Sequence, residues 1–104
     1  MRRGSRRAEP NYFLVSFDSS AAKRAEHPGI YAALDELAAV EAHEGAYLVE
    51  FRGSSAELMK KVREASRELV VLVVQLHGAN NDWYLNKVPA GWLRARGLSL
   101  HAGG

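Results

Sequence analysis

A chain of 104 residues, 47% hydrophobic and 25% charged, has the make-up of one globular domain with a modest core that can lean on a partner. It holds no cysteine, which excludes a disulfide framework and a thiolate metal site. Of 14 Lys and Arg, Arg2, Arg3, Arg6 and Arg7 precede Pro10, against one of 12 acids, so residues 11–104 carry 10 basic and 11 acidic groups.

The basic excess therefore belongs to residues 1–10, read as a flexible arm that either contacts phosphates or is simply solvated. Residues 11–104 form the single domain. No apolar run reaches the roughly 20 residues of a membrane span, and no apolar signal-peptide core follows the arginines. The expectation is a cytoplasmic protein with no membrane contact.

Tyr12 to Phe17 suits a strand, with Phe13, Val15 and Phe17 on one face and Tyr12, Leu14 and Ser16 on the other. Both faces are largely apolar, which predicts a central strand covered on each side. Asp18 stands where it stops and is the leading candidate for a functional residue. A loop from Ser19 to Gly29 leads to a helix whose buried stripe is Ile30, Ala33, Leu34, Leu37 and Ala38. Residues 39–52 alternate on either side of Glu44-Gly45 and read as a hairpin.

Ser54-Ser55-Ala56-Glu57 is a capping box that opens a helix to about Arg67, with Leu58, Met59, Val62 and Ala65 inward. The Lys and Arg of that helix line its outer side and read as a solvated face. Leu69 to Leu76 is the most apolar run and predicts a strand buried on both faces. A turn follows from His77 to Asp82, then a last short strand from Trp83 to Val88 that Pro89 ends. Ala90 to Arg96 is expected to make one or two helical turns around Trp92 and Leu93.

The order β-α-β-β-α-β plus one strand predicts an α+β, ferredoxin-like antiparallel sheet with two helices on one face and an extra C-terminal strand. Strands one and three are central, and strands two and four lie at the edges. Two liabilities follow: strand one is apolar on the face away from the helices, and strand four is an apolar edge. A second copy covers the open face and the extra strand Trp83–Val88 pairs along strand four, in its own chain or across the dimer, with Tyr12, Leu14, Trp83 and Leu85 at the dimer interface. The alternative is a monomer whose C-terminal residues fold back over the sheet.

Leu14-Val15-Ser16-Phe17-Asp18, the helix holding Tyr31 and Leu34, the hairpin ending in Tyr47-Leu48-Val49, the Ser54–Glu57 box and the Leu69–Leu76 strand together resemble the Cas-two-like proteins. That family includes the small CRISPR-associated adaptation protein, its solitary homologues and the VapD-type toxins. The resemblance covers residues 12–88 and implies a ferredoxin-like homodimer of nucleic-acid-related function, either architectural or a weak metal-dependent nuclease. It implies Asp18 as the catalytic and metal-binding residue, facing its symmetry mate and sharing Mg2+ or Mn2+, with RNA or DNA as partner; the charge of the arm, outside the resemblance, makes Arg2, Arg3, Arg6 and Arg7 the candidate nucleic-acid contacts. Phe17 stands where the family usually has tyrosine, Ala46 where it often has Ser or Thr, and no second acid lies close to Asp18 in sequence.

One carboxylate per chain is the minimum for a metal-dependent nuclease, and only a dimer brings two together. An Asp before Ser19-Ser20 at a strand end is equally a turn cap. His27, His43, His77 and His101 show no metal-ligand spacing, and no Gly-rich phosphate loop is present. A reading of a different class therefore stands beside the nuclease: a non-enzymatic module for dimerisation and partner binding.

Overall fold

β1 (Asn11–Phe17) runs through the sheet with an antiparallel neighbour on each side: β3 (Ala46–Phe51) pairs Leu14 with Leu48, and β4 (Val71–Leu76) pairs Leu14 with Val74. β2 (Val40–His43) closes the other edge, so the order is β2-β3-β1-β4. The computed structural model describes residues 9–18, 27–78, 83 and 85–98. Helices α1 (Pro28–Glu36) and α2 (Ser55–Ala65) join these strands in the ferredoxin-like sequence, and α3 (Lys87–Ala95) follows. The predicted α+β class, antiparallel sheet and central pair of strands are all present. Among the described residues no helix is long and apolar enough to cross a membrane.

The alternation of β1 builds two cores. Phe13, Val15 and Phe17 are buried with Ile30 and Leu34 of α1 and Leu58 and Val62 of α2. Phe17 stacks on Tyr47, with ring centroids 5.9 Å apart and planes at 6°. On the opposite face Ala42, Ala46 and Leu48 are buried with Leu93 and Leu98, and Tyr12, Leu14, Trp83, Leu85 and Trp92 pack around them. The described residues therefore form three layers: two helices, the sheet, and α3.

The extra strand expected at Trp83–Val88 is corrected. Trp83, Leu85 and Asn86 are irregular, and α3 starts at Lys87. Pro89 does not end a strand; it sits in the first turn of α3, where a missing N–H costs nothing. The sequence alternative in which C-terminal residues fold over the sheet describes this layer. Gly97 at φ +69° closes α3, with Leu98 N–H donating to Leu93 C=O at 3.0 Å and Gly97 N–H to Arg94 C=O at 3.0 Å.

Helix α1 ends by the same hydrogen-bond pattern, two residues before the predicted stripe does. Ala39 N–H donates to Leu34 C=O and Ala38 N–H to Asp35 C=O, each at 3.0 Å. Ala38 is left at φ +54° and exposed rather than on the buried face. The α2 capping box forms as read: Glu57 N–H donates to Ser54 Oγ at 3.0 Å, and Ser54 N–H to Glu57 Oε1 at 2.7 Å. At the junction of the two helices, Gly29 faces the Ala65 carbonyl so closely that a Cβ would collide with it.

Cover on the α3 face falls away across the sheet. β3 is buried on both faces at Ala46–Val49, and Tyr12, Leu14 and Ser16 of β1 are half-buried. In and beside β4, Val70 is 83%, Leu72 59% and Val74 39% exposed. The prediction that this strand is buried on both faces is therefore corrected: α3 packs over β2, and among the β4 residues facing that layer only Leu76 joins its cluster.

Candidate functional site

Asp18 follows the last residue of β1 and is exposed. Phe17 pairs with Val71, and its N–H donates to Gly45 C=O at 2.8 Å, so the start of β4 and the tip of the β2–β3 hairpin flank this end of the sheet. Gly45 sits at φ +82°, a conformation that glycine takes without steric cost. His43 and Glu44 lie on the same hairpin tip, both exposed. Among the described residues no three His, Asp or Glu converge as a metal group. Asp18 is thus exposed at a sheet end, one residue past Phe17, which pairs with β4 and donates to the hairpin tip.

His77 lies at the other end of the sheet, because Leu76 pairs with Tyr12. Over the seven residues of β1 the two ends are roughly 20 Å apart. His77 and Asp18 are therefore not parts of one site. The His77 end holds an open recess of about 240 Å³ lined by Asn11, Tyr12, Gln75, His77 and Arg96. Its cation is committed: Arg96 Nε donates to Glu50 Oε1 at 3.1 Å, its Nη1 donates to Trp92 C=O at 3.1 Å, and the guanidinium lies 4.0 Å over the Trp92 ring. Asn11 Nδ2 donates to Gly53 C=O at 2.9 Å. These groups lock α3 and the β3 end to the sheet, which is a structural task.

The four residues predicted for a dimer interface lie within the chain's own packing. Tyr12 and Leu14 sit under the α3 layer, and Trp83 and Leu85 pack against the same cluster. Tyr12 meets Trp92 edge-on, with centroids 6.0 Å apart. Arg2, Arg3, Arg6 and Arg7 lie outside the described residues.

The apolar edge expected at strand four is present at β4. Its outer side carries a row of backbone N–H and C=O groups with no strand of the described residues beyond it, and its Leu72 and Val74 side chains are exposed. The signal was present in Val70–Leu76, which contains no charge, proline or glycine. The other edge differs: β2 has four residues, an irregular register between Glu41 and His43, and both of those side chains exposed. One edge is blunted and the other is not. Compared with protein-family models, curated proteins and solved structures, the chain matches none.

Proposed function

We propose that this protein is a small self-associating binding module that works by contact and not by bond cleavage. The observation that carries this reading is the exposed apolar strand β4, with Leu72 and Val74 outside the cover of α3. Exposed apolar surface of this kind on a soluble fold marks an interaction site. The chain then acts as a homodimer, with its basic arm left to meet an acidic partner such as RNA or DNA.

A second reading is favoured by Asp18, an exposed carboxylate at the end of a central strand. It is the Cas-two-like one, in which Asp18 holds Mg2+ or Mn2+ and activates water against a phosphodiester. The two readings separate in one assay, incubation of RNA and DNA with wild type and Asp18→Ala in the presence of Mg2+ or Mn2+. The binding-module reading expects the same background from both proteins. Cleavage by wild type that Asp18→Ala abolishes overturns it in favour of the nuclease.

A further inference from the structure

We infer that β4 pairs edge to edge with β4 of a second copy, antiparallel about a two-fold axis at Val73, which joins two four-stranded sheets into one of eight. This inference rests on the self-association proposed above and specifies its surface.

Geometry restricts the register. A two-fold axis perpendicular to the sheet keeps each side chain on its own face, so directly opposed residues must belong to the same face of the strand. An axis at Val73 sets Leu72 against the partner's Val74 and Val70 against the partner's Leu76. Each exposed apolar side chain on the α3 face then meets an apolar partner, and the symmetry repeats each pair. On the helix face Val73 meets the partner's Val73, and Val71 meets the partner's Gln75.

Charge favours a copy of this chain as the occupant. Val70–Leu76 carries no charge that would repel its own image, and Glu68 falls beside the partner's His77–Gly78 rather than beside the partner's Glu68. The third layer does not obstruct the junction, because α3 packs over the β2 flank. β2 cannot serve in the same way, since its short, irregular, charged edge is of the kind that resists strand addition.

The pairing also positions Asp18. Asp18 adjoins the start of β4, three to four residues from the axis and one strand inward. Two copies of Asp18 then stand roughly 25 Å apart. That is far beyond the roughly 4 Å spanned by a shared two-metal site. The dimer built on β4 therefore does not join the two carboxylates.

Edge pairing buries little area, so the dissociation constant is expected on the order of 10 µM. Sedimentation equilibrium is run on wild type and on the double variant Leu72→Lys, Val74→Lys, whose side chains are exposed and whose melting temperature serves as the folding control. Because the chain has no cysteine, single Val73→Cys and Gln75→Cys variants report register by oxidative cross-linking. Val73→Cys opposes its own copy, whereas two Gln75→Cys sites lie roughly 14 Å apart. The inference expects a wild-type dimer, association weakened at least tenfold by the two lysines, and a disulfide from Val73→Cys alone. A dimer indifferent to the lysines, or cross-linked equally from both cysteines, overturns the β4 pairing and leaves self-association standing. A wild type that stays monomeric well above the expected dissociation constant overturns both.

Discussion

Trp92 of α3 stands edge-on to Tyr12 of β1, with the ring planes at 87° and the centroids 6.0 Å apart. This contact shows which part of the sheet the chain shelters by itself. Tyr12 is a residue on the apolar second face of β1, and its cover comes from its own C-terminal helix. The same helix buries Leu93 against the β2–β3 flank and stops short of Leu72 and Val74. The fold answers one of its two exposed surfaces internally and leaves the other open.

The α3 layer is expected to be part of the folded core. Leu93→Ala should destabilise the protein by about 2–4 kcal/mol, since it removes a fully enclosed side chain from a packed cluster. Urea denaturation reads the loss, and a rise in apolar-dye binding should accompany it. A change under about 0.5 kcal/mol would mean that α3 is merely laid on the sheet.

Ala38 offers a gain. It holds the left-handed position after α1 at φ +54°, where an L side chain is strained. Ala38→Gly should stabilise by about 0.5–1 kcal/mol despite the greater freedom of glycine in the unfolded chain. A rise in urea midpoint at unchanged slope is the expected result.

Gly29 predicts the opposite. Its α-carbon faces the Ala65 carbonyl at the α1–α2 junction, where Ser66 Oγ and His27 Nδ1 lie 3.4 Å apart. Gly29→Ala must push the helices apart and should cost about 1–3 kcal/mol. The expected measurement is a lower melting temperature with helix content retained.

Ser54→Ala removes the acceptor for Glu57 N–H and one half of the capping box. The loss should be about 1 kcal/mol, because the substitution leaves a helix-start N–H to water alone. Ser55→Ala, one position later and exposed, is the matched control and should change stability by less than about 0.5 kcal/mol.

Much of this architecture is legible in the residues, for local reasons. The period of two in Phe13, Val15 and Phe17, the Ser54–Glu57 box and the hairpin around Gly45 each express a short-range rule, and the structure follows each one. The errors fall where long-range packing decides. Trp83–Val88 has strand-like composition, but with Pro89 in the first turn and Gly97 at the stop, residues 87–95 wind into a helix that buries Leu93. The Leu69–Leu76 run reads as fully buried because composition cannot tell a covered strand from an exposed edge. The residue pattern alone sets Asp18 at its strand end. Its distance from His77 follows from the antiparallel pairing of β1 with β4, which no local signal carries.

Amide hydrogen exchange on residues 70–76 and 87–98, at protein concentrations well below and well above the expected dissociation constant, tests the central claim most directly. The α3 segment should be protected equally at both concentrations, and the outward amides of β4 should gain protection only in the concentrated sample. Equal protection of β4 at both concentrations, or an unprotected α3, would contradict a sheet that is half roofed by its own chain and closed on the other side by a second copy.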